Sequence, residues 1–111
     1  GGLPARAGAA AADGSGVEVE RKISDARGSE LGVSSWALWE SDLGLADTWP
    51  VTYADPEAVY LLEGKVEVVP EAGGEAVSLE VGDLAIFPPG RTFVWTAQGQ
   101  VRLRRGIRTP G

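Results

Sequence analysis

The chain has 111 residues, 43% of them hydrophobic and 23% charged, with a formal net charge of −6. That length suits one domain, since a second core would leave each half too short to bury itself. No apolar run approaches the ~20 residues of a membrane helix, and the net acidity argues against general nucleic-acid affinity.

The missing residue types exclude more. There is no Cys, so there is no disulfide framework, thiolate nucleophile or cysteine metal site. There is no His, which removes imidazole bases, histidine metal ligands and the Ser-His-Asp triad. No Met is present either, and the chain starts at Gly1, as a processed product or a fragment would.

Residues 1–16 read GGLPARAGAAAADGSG. With little bulky side chain to bury, this stretch is expected to be a flexible or extended arm ahead of a domain over 17–108, with 109–111 as a tail. Its Ala, Gly and Arg content suits the surroundings of an organelle transit-peptide cleavage site (chloroplast or mitochondrion), and a linker explains it equally. Val17 to Ile23 alternates apolar with charged residues and predicts a half-buried strand. Ser24 followed by Asp25 predicts an N-cap and one short helical turn before Leu31. Trp36 and Trp39 then mark a strand or loop edge whose indoles cover an open side of the core.

From Trp49 onward the texture is all-β, with short apolar runs and turn residues every 8 to 12 positions. Strands are predicted at Ala58–Glu63, Lys65–Val69, Ala76–Val81, Leu84–Phe87, Thr92–Thr96 and Val101–Arg108. Turns or bulges fall at Gly64, Gly73-Gly74, Gly82-Asp83, Pro88-Pro89-Gly90 and Gln98-Gly99. Eight or so short strands in this length predict a jelly-roll barrel or sandwich. Charge is unevenly placed: Glu40 to Asp83 holds eleven acids and one base, Lys65, whereas 101–111 holds four arginines and no acid. Arg102, Arg104, Arg105 and Arg108 either pair with the acidic strands or form a basic edge for an acidic partner.

Two runs carry a resemblance. Glu57 is followed after six residues by Gly64, and Gly82 after five residues by Pro88-Pro89-Gly90. These are similar to the end of the first and the start of the second cupin motif. YLLEGKVEV (Tyr60 to Val68), GDLAIFPPG (Gly82 to Gly90), Trp95 and WALWE (Trp36 to Glu40) further resemble the small single-domain cupins grouped with (S)-ureidoglycine aminohydrolase. The resemblance spans about Val17 to Ile107 and implies an all-β, cupin-type double-stranded β-helix, a jelly-roll barrel with an N-terminal arm.

It also implies a metal site, and here the sequence departs from the pattern. A metal-binding cupin has two His, a Glu and a third His. Those His positions fall on Val51 and Tyr53 (or Pro50 and Thr52) and on Phe93, and only Glu57 of the set remains. One carboxylate cannot hold a transition metal, which takes three or four N, O or S ligands. Relatives often carry a Cys at the Phe93 position and a His where Arg104 stands. Phe93 and Trp95, with Tyr53 and Phe87, are instead expected to fill the lumen as plain core or to line an aromatic pocket around Glu57. Arg104 is placed to pair with Glu57 if their strands face one another, and the acids of Asp55-Pro56-Glu57 are expected in a solvated loop.

Three functions are compatible with this reading. The first is a non-catalytic cupin without metal or other cofactor, an interaction or structural subunit contacting a protein partner or a second copy through Trp36, Trp39 and the four arginines. The second is a metal-free small-molecule binder using the lumen. The third is a divergent enzyme resembling ureidoglycine aminohydrolase, for which the sequence offers no catalytic residue set.

Overall fold

A computed structural model describes residues 9–11, 16–41 and 47–107. Most of the expected arm and Arg108 lie outside them. Ala9–Ala11 (β1) is extended and pairs antiparallel with Glu18–Glu20 (β2), which buries Val19 between half-buried glutamates. Ser24 accepts from Arg27 N and caps helix α1, Asp25–Leu31, which ends at Gly32 in the left-handed region. The helix runs longer than the single turn expected. Arg27 grips Glu20 with two hydrogen bonds, of 3.1 and 2.8 Å, tying helix to strand.

A single 3-10 turn, Val33–Ser35, leads into Ala37–Glu40 (β3). The remaining strands are Thr48–Thr52 (β4), Glu57–Pro70 (β5), Val77–Leu79 (β6), Leu84–Phe87 (β7) and Thr92–Ile107 (β8). Two sequence expectations are corrected here. Gly64 does not separate two strands, and neither does Gln98-Gly99. Each lies inside one long strand, of 14 and 16 residues respectively.

The long strands explain the architecture. The first half of β5 pairs with β7 and with the second half of β8, and the second half pairs with β6 and the first half of β8. The eight strands make one hydrogen-bonded sheet that folds into two layers, β1-β2-β7-β5-β8-β3 in one and β6, β5, β8 and β4 in the other. Register shifts between Leu61 and Glu63 and between Glu63 and Lys65 mark the bulge where the shared strands bend from one layer into the other. The two inner faces meet in one core that includes Val19, Leu61, Val66, Leu79, Phe87 and Phe93. This is the jelly-roll arrangement read from the sequence.

Asp83 fixes the corner before β7. Its carboxylate accepts from Glu80 N, Lys22 N and Arg21 Nη1 at 2.9, 3.0 and 2.8 Å. Burial alone would push its pKa up, but these bonds to the charged form outweigh burial and hold it below the ordinary carboxylate value.

Gly64 sits at the bulge with φ +90°, where a Cβ would run into the Gln100 carbonyl of the facing strand. Gly90 has φ +81° but open space around it. Gly64→Ala should therefore cost roughly 3 kcal/mol or more, combining backbone strain with a clash. Gly90→Ala should cost only about 1–2 kcal/mol, from the backbone alone. Urea-unfolding midpoints check the order, and equal losses would show that the strand crossing gives way freely.

Candidate functional site

The inner faces of β4, β5 and β8 build the site. Alternation on β4 turns Trp49, Val51 and Tyr53 inward and leaves Pro50 and Thr52 exposed. Of the two expected alignments, Val51 and Tyr53 are the pair that faces the core. On β8, Phe93 and Trp95 share the inner face, as expected, and Leu103 joins them further along.

The aromatic side chains form a continuous ladder through the barrel. Trp39 lies 5.4 Å from Trp49, and Trp49 stacks on Trp95 at 6.1 Å. Trp95 is 5.4 Å from Phe87, which stacks on Tyr53 at 4.8 Å and meets Phe93 edge-on at 5.3 Å. Phe87 and Phe93 are fully buried, each contributing about 1.5–3 kcal/mol of apolar burial. Phe93, expected at the second-motif His position, is thus a core residue that plugs one part of the lumen.

The plug is incomplete. A cavity of ≈ 160 Å³ remains beside the ladder. Its partly exposed rim is Trp39, Trp49, Val51 and Arg105, and its buried floor comprises Tyr53, Glu57, Val59, Trp95 and Leu103. Of the five expected lumen residues, Tyr53, Glu57 and Trp95 line this cavity, whereas Phe87 and Phe93 lie behind it.

Glu57 opens β5 and is buried, not in a solvated loop. Its Oε1 accepts from Arg105 Nη2 at 3.0 Å. The expected partner, Arg104, points to the opposite face of β8 and donates to the Trp36 carbonyl at 3.0 Å. The error is one of parity: Arg105 shares the inward face of Val101 and Leu103, and Arg104 does not. The Tyr53 hydroxyl is pushed up first by burial and then by the Glu57 charge, so the phenol stays protonated at neutral pH. Trp95 Nε1–H is buried with no aligned hydrogen-bond partner, and it sits near enough to the Tyr53 oxygen to oppose that shift.

The other candidate contacts are engaged within the fold. Trp36 packs its ring on the backbone of Gly106, half-buried. Arg102 lies 2.8 Å from Glu40 and 4.0 Å from Glu63, so the acidic strands do pair with the basic one. Sequence reasoning missed Val59, Leu103 and the Glu57–Arg105 pair as parts of one site.

A cupin barrel implies a metal, and the side chains present do not fit one. Val51, Tyr53 and Phe93 are the positions expected to carry His, and no group of three or more His, Cys, Asp or Glu that could hold a metal ion occurs among the described residues.

Comparison with known proteins agrees with the fold. The barrel and its two motif loops define a cupin domain. Residues 28–104 match the family described as the EutQ-like cupin domain, and the chain belongs to that family. A DUF861 family protein of Thermotoga maritima is 34% identical, with a TM-score of 0.73 over 83% of this chain and 99% of that one. A putative ethanolamine utilization protein Q of Salmonella typhimurium, 24% identical, has a TM-score of 0.52 over 80% of this chain and 66% of that one. A DUF1255 protein of Acidithiobacillus ferrooxidans, 13% identical, also has a TM-score of 0.52, over 55% of this chain and 57% of that one. At these identities the last two share the fold alone. No match is found among curated proteins. No helix among the described residues is long and apolar enough to cross a membrane.

The two ion pairs on β8 should differ in worth. Glu57 is 10% exposed and Glu40 53%, while their arginines are similarly exposed, at 48% and 42%. Arg105→Ala strands a buried carboxylate and should cost about 1–2 kcal/mol, discounted for the exposed guanidinium. Arg102→Ala breaks surface pairs and should cost at most ~1 kcal/mol. Thermal or urea unfolding at low salt checks the order, and a larger loss for Arg102→Ala would contradict it.

Proposed function

We propose that this chain is a metal-independent, non-catalytic cupin that binds a small organic molecule in the barrel cavity. The observation that carries this reading is the cavity itself. It opens where the family pattern would place metal ligands, and it is walled by aromatic and aliphatic side chains with one ion pair. Such a setting, largely apolar with few polar groups, is what ligand pockets have in common.

Two other readings carry less weight. An interaction or structural subunit would use Trp36, Trp39 and the arginines, but Arg102, Arg104 and Arg105 each have a partner inside the fold and both indoles are half-buried. The narrower likeness to ureidoglycine aminohydrolase-like cupins rests on runs that form β3, β5 and β7, and of the family's metal ligands it brings only Glu57.

A thermal-shift screen of small organic molecules, run with a chelator present, tests the proposal. A ligand at a hundred times its Kd stabilises the fold by about 2.7 kcal/mol. The expected result is stabilisation of the wild type and none of Val51→Trp, whose indole fills the cavity from its rim. Stabilisation that requires added metal, that survives in Val51→Trp, or that no compound produces would contradict the proposal.

A further inference from the structure

The polar groups of the cavity restrict what it takes. They include the Glu57 carboxylate as acceptor, the Arg105 guanidinium and the unpartnered Trp95 indole N–H as donors, and the protonated Tyr53 hydroxyl, which can do either. Glu57 and Arg105 already neutralise each other through a single hydrogen bond from Nη2 to Oε1. A carboxylate has further acceptor sites and a guanidinium further N–H donors, so each can take a second partner without separating. A neutral ligand leaves this pair intact. A cation would sit beside Arg105 and an anion beside Glu57, each burying an unbalanced charge.

Size and shape narrow the choice. An apolar cavity of about 150 Å³ holds one benzene molecule, and this cavity measures ≈ 160 Å³. The volume is therefore enough for a single six-membered ring. The rim supplies Trp39, Trp49 and Val51 for an apolar face, while the polar groups gather at Tyr53, Glu57 and Arg105. The bound molecule must accordingly carry its polar atoms along one edge, with a donor facing Glu57 next to an acceptor facing Tyr53 or Arg105. A ring N–H beside a ring carbonyl has that pattern with no net charge.

We infer that the cavity binds a neutral six-membered heterocycle with a cis-amide edge, of pyridone or pyrimidinone type, between the aromatic rim and the Tyr53–Glu57–Arg105 edge. This rests on the small-molecule reading above and names the ligand class for that same site.

An NMR titration following the indole N–H resonances tests it, with 2-pyridone and uracil as probes. Benzene, benzoate and tetramethylammonium serve as apolar, anionic and cationic comparators. The expected result is saturable shifts with 2-pyridone or uracil, at least tenfold tighter than with any comparator. Tyr53→Phe, which keeps the ring, and Glu57→Gln, which keeps the shape, should each weaken that binding about tenfold. Equal binding of benzene, or no effect of Tyr53→Phe, would overturn the polar edge while leaving a small-molecule site standing. Preference for tetramethylammonium or benzoate would overturn the neutral class. Binding by none of the five would overturn the inference, and the broader screen then decides separately whether the cavity binds anything. The ligand comparison on the wild type stands even if a variant fails to fold.

Discussion

The antiparallel ladder between β5 and β8 is the constraint on which the rest depends. Both strands belong to both layers, so their pairing sets the bend, the separation of the inner faces and the end of the barrel that stays open. The bulge beside Gly64 lets the bend occur without breaking the ladder, because a residue with no Cβ can pass over the Gln100 carbonyl. Past that point, period-2 alternation decides everything. It aims Glu57 and Val59 from one strand, and Leu103 and Arg105 from the other, at the same space. A slip of one residue would exchange Arg105 for Arg104 and Leu103 for Arg102, driving a second charge into the apolar wall.

The lumen chemistry follows from that register and from three substitutions of the family pattern. At the positions where imidazoles are expected, Tyr53 and Phe93 pack on one another and on Phe87, with Val51 opposite Phe93 in the ladder. A dry stack of rings in offset and edge-on contacts is favourable in itself, with each good aromatic pair worth about 0.5–1.5 kcal/mol beyond its area. Such a core needs no ion to hold it together. Glu57 keeps its position in the motif, but its charge is answered by Arg105 instead of a metal. The same carboxylate thus serves a different electrostatic arrangement.

Much of this was legible in the sequence. The fold followed from turn residues at regular spacing and from the Glu-to-Gly and Gly-to-Pro-x-Gly runs. The aromatic filling of the lumen followed from what stood at the missing His positions. Four things were not legible. The strands on either side of Gly64 and of Gln98-Gly99 read as separate, because a glycine at a bulge and one at a turn answer the same need for positive φ. Glu57 read as a loop acid, because Asp55 and Pro56 precede it and a sequence does not show that the first residue of a strand is buried. The choice between Arg104 and Arg105 turned on parity, which Leu103 could have supplied. The cavity's existence was beyond reach, since it depends on Phe87 and Phe93 stopping short of the rim, a matter of three-dimensional packing.

That a cupin barrel here has exchanged its metal site for an aromatic-lined organic pocket is the claim most open to direct attack. The decisive measurement is elemental analysis of purified protein after loading with Mn, Fe, Ni and Zn and removal of unbound ions. One carboxylate paired with an arginine should retain no ion, so the metal content should be far below one equivalent per chain. Close to one equivalent of any of these metals, lost on Glu57→Ala, would show that the lumen still builds a coordination site and would contradict the account.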